Sequence, residues 1–360
     1  MKVGSDFSGV GAFEQALRRL GINYETVFAC DMDKYARDTF IHNYGEPKYY
    51  PYNVYEREIP KESLDIYMTS PPCQAFSLAG KRLGKEDKRG ILFFNSHEFI
   101  KLNKPRYFIF ENVRGLLSDD EGKTFKEWIN MLGGKSVNGL PVLFSYEDSV
   151  PYHLYYKVLN AKHHGVPQNR ERVFLIGIRD DSDNSFQFPK EENLTKRLKD
   201  ILDVKIDDKY FLSSKSIIRC LKSSDNKNML KNDLPEQSRC IISGYNKIPF
   251  DGQYIKIEYN DKRLNATIQK NGLPNGEVKA IDTYNKKVQN ESPTLTEPHH
   301  NTTRLWDGYQ VRKLTPRECF RLMDFPDSFT WNVSDSQAYK QAGNSIVVNV
   351  LYKILKQLIK

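Results

Sequence analysis

The chain has no run of about 18 consecutive apolar residues, the length a membrane-spanning helix requires, so no membrane span is expected. Its opening stretch, Met1-Lys2-Val3-Gly4-Ser5-Asp6, lacks the apolar core of a signal peptide, and a cytoplasmic protein is expected. Cysteine is scarce and poorly placed for structural work. Cys30, Cys73, Cys220, Cys240 and Cys319 form no CxxC pair, and an odd set of thiols builds no disulfide framework. Adjacent His163 and His164 have no third ligand at metal-site spacing, so no metal is expected. Internal repeats and low-complexity tracts are also missing. What is present is 360 residues, 39% hydrophobic and 28% charged, with a formal net charge of +8. That length suits one large domain or two modest ones, and the positive balance favours an anionic partner.

The rest of the chain is organised around Thr69-Ser70-Pro71-Pro72-Cys73-Gln74-Ala75-Phe76-Ser77. It follows Leu64-Asp65-Ile66-Tyr67-Met68, an apolar-leaning run of strand length. Two prolines force a turn where that strand ends. A lone cysteine thus falls at the carboxyl end of a strand, where open α/β sheets place their ligands. It is either a small buried hydrophobe or a thiolate nucleophile able to add to an electron-poor ring.

Upstream, Lys2–Phe7 reads as a strand that runs through Ser8-Gly9-Val10-Gly11 into a helix ending near Leu20, with Gly21 as its stop. Strand, glycine turn and helix make a nucleotide-type cradle. A second strand, Thr26–Cys30, ends in Asp31-Met32-Asp33. Asp31 suits the two hydroxyls of a ribose, and Asp33 suits the N-cap of the helix beginning at Lys34. Downstream of the cysteine, the polar, basic run Lys81–Gly90 is either solvated surface or a lid that closes on a phosphate backbone.

Tyr107–Phe110 is a buried strand capped by Glu111-Asn112-Val113. A carboxylate there must be used or paired; burial raises its pKa and suits it to share a proton with a ring nitrogen, while pairing with Arg172 is the structural alternative. Tyr156–Ala161 and Arg172–Ile178 form a hairpin-like pair of strands, and Gln168-x-Arg170-x-Arg172 between them should project both guanidinium groups to one side. From about residue 182 the composition turns to Ser, Asp, Asn and Lys, with short β-like runs at 239–243, 252–259, 264–269 and 277–283. Later, Thr315, Pro316 and Glu318 make a capping box, and Gln341-Ala342-Gly343-Asn344-Ser345 opens a last amphipathic helix.

Pro72-Cys73-Gln74, followed by Ala75-Phe76-Ser77 and Gly80-Lys81, resembles the catalytic loop of DNA cytosine-5 methyltransferases of bacterial or phage restriction-modification type. The family's other motifs follow in its fixed order: Phe7-x-Gly9-x-Gly11, Glu111-Asn112-Val113, Gln168-x-Arg170-x-Arg172, Arg312-x-Leu314-Thr315-x-Arg317-Glu318 and Gly343-Asn344. The resemblance implies an α/β fold, a Rossmann-like S-adenosylmethionine-dependent methyltransferase sheet with a smaller β-rich target-recognition domain. On that basis residues 1–185 plus 336–360 form the catalytic and cofactor domain, and 186–335 the target-recognition domain and hinge.

The same resemblance assigns catalysis to Cys73, Gln74, Glu111, Arg170 and Arg172. It gives S-adenosylmethionine the residues Phe7, Ser8, Gly9, Gly11, Asp31, Met32, Asn53, Val54, Pro72, Leu92, Asn344 and Ser345. DNA contacts fall to Ser77, Lys81, Arg89, Thr294 and Leu295. Two departures stand out: Met32 replaces an aromatic, and Asn53, on a third strand, replaces an acid near the adenine. Double-stranded DNA is the implied partner of a monomeric enzyme, with a cognate restriction endonuclease acting separately. A tRNA-directed branch of the fold shares Pro-Pro-Cys-Gln but usually carries a Cys-Phe-Thr tripeptide that is absent here. A catalytically silent DNA-binding regulator is the other alternative.

Overall fold

The computed structural model describes residues 1–72, 91–182, 184–211, 241–242, 279–282, 287–289, 292–293, 295–296, 303–306 and 311–359. These divide into two compact units, residues 1–159, 171–190 and 350–360 in the first, and 160–170 and 191–349 in the second.

The first unit is built on one eight-stranded sheet. In chain order its elements are β1 (Lys2–Asp6), α1 (Ala12–Leu20), β2 (Glu25–Cys30), α2 (Lys34–Tyr44), β3 (Ile66–Thr69), α3 (Ile91–Asn103), β4 (Tyr107–Val113) and α4 (Lys123–Leu132). The strands β5 (Ser136–Val137), β6 (Leu140–Pro141) and β7 (Tyr152–Asn160) follow; after the short β8 (Gln168–Asn169), β9 (Glu171–Arg179) returns to the sheet. Its order is β2-β1-β3-β4-β9-β7-β5-β6. β1 runs parallel to both β2 and β3, and β3 parallel to β4, whereas β9 pairs antiparallel with β4. The chain leaves β1 toward β2 on one side and later places β3 on the other. The carboxyl ends of β1 and β3 therefore flank a topological switch point, where such sheets bind ligands.

Local sequence explains several of these boundaries. Gly21, at φ 69°, stops α1 in a left-handed conformation that costs glycine little. Asp33 caps α2, its Oδ1 accepting from the backbone N–H groups of Tyr35 and Ala36. The fully apolar faces of β3 and β4 are covered by aromatic side chains. Tyr67 stacks on Phe99 at 4.1 Å between ring centroids, and Phe93 on Trp128 at 4.2 Å. Each such buried ring contributes roughly 2–3 kcal/mol through area removed from water.

In the second unit, Lys287–Gln289, Lys279–Asp282, Thr303–Trp306 and Val311–Lys313 form a four-stranded antiparallel sheet in that order. Ser292–Pro293 runs parallel to β8, and Leu295–Thr296 parallel to Ile241–Ile242. The expected strands at 252–259 and 264–269 lie outside the described residues. α5 (Pro316–Leu322) begins with the anticipated capping box, Thr315 accepting from Glu318 N and the Glu318 carboxylate from Thr315 N. That carboxylate is also gripped by Arg312 through two 2.7 Å bonds. α6 (Asp335–Asn344) also belongs to this unit, whereas α7 (Val348–Leu358) returns the chain from residue 350 to the first unit.

Two sequence expectations need correction here. The segment 341–345 does not open the last helix; Gln341–Asn344 close α6, and the break before α7 falls at Ser345, whose backbone is extended at φ −70°, ψ 164°. The division expected at residues 185 and 336 also moves. The 160–170 segment joins the second unit because β8 pairs with Ser292–Pro293 and the Gln168 amide donates to the Leu322 carbonyl. α6 stays there too, because the Tyr339 hydroxyl donates to the Leu314 carbonyl and the Asp335 carboxylate takes the Tyr210 hydroxyl.

Candidate functional site

The switch point is shaped first by backbone. Phe7, the residue after β1, holds φ at +57°, a conformation that L side chains rarely adopt. Gly9 and Gly11 follow at φ +54° and +83°. A side chain at Gly11 would run into the Tyr44 ring at 2.3 Å, whereas nothing stands within 4 Å of a β-carbon at Gly9. The loop thus packs tightly on its helix side and is open beside Gly9. Ser8 is tied down on both flanks, its N–H donating to the Cys30 carbonyl and its hydroxyl lying 3.3 Å from that of Tyr50.

Asp31, at the end of β2, faces this loop. Its Oδ2 accepts from Gly9 N at 2.7 Å and its Oδ1 from Asp33 N at 2.8 Å. Burial pushes its carboxyl above the usual carboxylate range, opposed by these two backbone donors. Each oxygen keeps a further lone pair, so the group can still receive hydroxyl donors. Met32 beside it is among the most exposed apolar residues of the protein. Asn53 is not on a strand: residues 53–56 form a turn in which Asn53 Oδ1 accepts from Tyr55 N at 3.1 Å, and Val54 is buried beside it. The third strand is Ile66–Thr69 instead. Phe7 and Leu92 are half-buried against the main core.

Beneath the loop lies a group that sequence reasoning missed. Glu14 of α1 is 1% exposed; its Oε1 receives the Ser5 hydroxyl at 3.5 Å, and Oε2 has no partner among the described residues. Burial raises its carboxyl from 4.5 to about 7. Because the folded value lies above the unfolded one, the folded protein holds this proton more tightly, and stability falls as pH rises from 4.5 to about 7. Glu14→Gln should remove that slope and make the variant more stable than wild type at pH 8 by about 3 kcal/mol. Urea midpoints measured from pH 5 to 8 check this; parallel curves for the two proteins would refute it.

The second half of the first unit's site is set by register. Thr69 of β3 pairs with Phe110 of β4, so Ser70-Pro71-Pro72, just past β3, lies alongside the last residues of β4, Glu111 among them. Asn112 donates from Nδ2 to the Pro71 carbonyl at 3.1 Å, tying the segment after β3 to β4. Cys73, Gln74, Ser77, Lys81, Arg89 and Thr294 lie outside the described residues; of Leu295 only the strand position is described. Glu111 is buried, and Arg172 Nε on β9 donates to its Oε1 at 3.0 Å. The described contacts of the two arginines of Gln168-x-Arg170-x-Arg172 reach different partners. Arg170 sits between β8 and β9, and its guanidinium donates to the carbonyls of Gly343 and Ser345 at 3.2 and 2.7 Å within the second unit. β8 ends at Asn169 and belongs to a different sheet from β9. Asn344 is exposed there and Ser345 buried.

The first unit therefore brings together an aromatic, a glycine turn and a carboxylate around one strand end, and an ion-paired glutamate near the end of another strand, next to Asn112, which holds the Pro71 carbonyl. The family model for C-5 cytosine-specific DNA methylases matches residues 1–360. The orphan methyltransferase M.SPRI of Bacillus phage SPR is 32% identical, with 100% of this chain and 97% of that protein covered. The type II methyltransferase M.HpaII of Haemophilus parainfluenzae is 34% identical, covering 98% of this chain and 88% of the relative. Among solved structures, a Spodoptera frugiperda DNMT2 mutant superposes with a TM-score of 0.67 at 20% identity, covering 100% and 99% of the two chains.

Proposed function

The chain belongs to the C-5 cytosine-specific DNA methylase family, and from that premise we propose that it is a site-specific DNA cytosine-5 methyltransferase acting through a covalent Cys73 adduct on a flipped-out base. The observation that carries this is the Glu111–Arg172 pair near the end of β4, whose Asn112 holds the Pro71 carbonyl two residues before Cys73 in the sequence. S-adenosylmethionine, the methyl donor of this family, supplies an electrophilic methyl group when bound. The open space beside Gly9, the Asp31 lone pairs and the Phe7 ring suit its adenosine half.

C5 of cytosine is too weak a nucleophile to attack a methyl group unaided. In this reading the Cys73 thiolate adds to C6, forming the S–C6 bond and pushing the ring electrons toward C5. Glu111 holds a proton at N3 as negative charge builds there, and Arg172 steadies the carboxyl. After methylation, loss of the C5 proton and departure of the thiolate restore the aromatic ring. None of these atoms is reachable inside a stacked duplex, so the base must be extruded. Ser77, Lys81 and Arg89 are assigned to the DNA backbone, and residues from about 190 to 306, including Thr294 and Leu295, to reading the site, as a monomer in the cytoplasm. A restriction endonuclease of matching specificity would act separately.

Bisulfite sequencing of both DNA and tRNA from cells expressing the protein tests the reading. Protected cytosines in one short DNA sequence are expected; protection confined to tRNA would move the enzyme to the other branch of the fold. Asp31→Ala should weaken S-adenosylmethionine binding by roughly 1.5–3 kcal/mol, the range for hydrogen bonds to a charged group. Calorimetry decides that point, and unchanged affinity would leave Asp31 as a loop-shaping residue only.

A further inference from the structure

Arg37 lies on α2, 7% exposed, and its hydrogen bonds go to main-chain carbonyls rather than to a carboxylate. One terminal nitrogen donates to Asp31 O at 3.3 Å and to Pro51 O at 3.0 Å; the other donates to Tyr50 O at 2.7 Å. Its guanidinium carbon also lies 3.7 Å from the centre of the Tyr50 ring and 3.8 Å from that of Tyr52. Tyr52 is 58% exposed and covers the cation from solvent. A planar fork with fixed donors can hold three carbonyls from two chain segments at once; a lysine point charge cannot.

Those segments matter for what comes next in each. Asp31 is followed by Met32, and Tyr50-Pro51-Tyr52 by Asn53-Val54. Tyr50 reaches further, its hydroxyl meeting that of Ser8 in the glycine loop at 3.3 Å. Met32 and Asn53 contribute little rigidity themselves: one is an exposed thioether, the other is occupied by its own turn. Arg37 therefore ties the backbone that leads into Met32 to the backbone that leads into Asn53.

We propose that Arg37 is a positioning residue that fixes the width of the slot between Asp31-Met32 and Asn53-Val54, and so determines how strictly the cofactor site selects adenine. This rests on the reading that the adenosine half of S-adenosylmethionine occupies that slot. Arg37 acts through the carbonyls it holds and touches no ligand. Relaxing it lets the walls drift, and a base with different edge donors and acceptors is then accepted nearly as well.

The test is calorimetric titration of wild type, Arg37→Lys and Arg37→Met with S-adenosylhomocysteine and with its inosine counterpart, alongside thermal melts. Wild type is expected to prefer the adenine ligand by about tenfold or more, and both variants to fall to within about threefold, with weaker binding of S-adenosylhomocysteine. Equal weakening of both ligands with the preference intact would show a general structural role and overturn the proposal. So would a wild type with no preference. Should neither Arg37 variant fold, Tyr52→Ala, at an exposed position, is read the same way: a reduced preference supports the proposal and an unchanged one overturns it. A wild type that binds neither ligand would remove the cofactor reading itself, and the proposal with it, a result distinct from intact binding with unaltered preference.

Discussion

Replacing Cys73 with alanine should lower methyl transfer by about 10⁴-fold or more, the scale of losing a covalent nucleophile, while DNA and cofactor binding persist. The expectation comes from where the chain delivers this thiol. β3 lies at the switch point, Pro71-Pro72 follow it, and Asn112 of the neighbouring strand holds the Pro71 carbonyl. Cys73 follows that anchor by two residues in the sequence, and Glu111 is the group assigned to the far side of the same ring. A duplex containing 5-fluorocytosine provides the complementary measurement. Fluorine does not leave as a proton does, so wild type should be trapped as an adduct that survives denaturation, and the alanine variant should not. Full activity from Cys73→Ala would end the covalent assignment; loss of DNA binding together with activity would point to a folding defect in the loop.

The parts of this fold that could be read from sequence are those whose signal is local. Gly21 stopping α1, Asp33 capping α2 and the Thr315–Glu318 box each involve residues a few positions apart, and each stands in the structure. The Glu111–Arg172 pair was legible for a different reason: a carboxylate inside an apolar strand has to be matched by something, and an arginine at the start of another apolar strand is a natural partner. Signals that depend on main-chain carbonyls were not visible. Arg37 has no sequence mark because its partners are the backbones of Asp31, Tyr50 and Pro51. Arg170 is similar: it satisfies the Gly343 and Ser345 carbonyls, which lets α6 end where an unbroken helix was expected. Glu14 escaped notice because helical spacing alone places a glutamate next to apolar neighbours without telling which face is covered.

The other large effect is expected from Glu111→Gln, with kcat falling by about 10²–10⁴-fold, the usual worth of a positioned acid–base group. Glutamine has the same shape and keeps an oxygen for Arg172 Nε, so the 3.0 Å contact can survive. What disappears is the ability to hold and release a proton at the ring nitrogen. The substitution also leaves the half-buried Arg172 without its counter-charge, and breaking a buried pair can cost about 3–5 kcal/mol. Stability and chemistry must therefore be separated. In the double variant Glu111→Gln/Arg172→Met the stranded cation is gone, and the urea midpoint should recover much of what the single change lost. Activity should not recover with it. Recovery of both would make the pair a structural tie with no part in the reaction. A single variant within about threefold of wild-type kcat would likewise remove Glu111 from the chemistry. Restored stability with activity still absent is the outcome expected of a carboxyl that Arg172 orients and the cytosine ring uses.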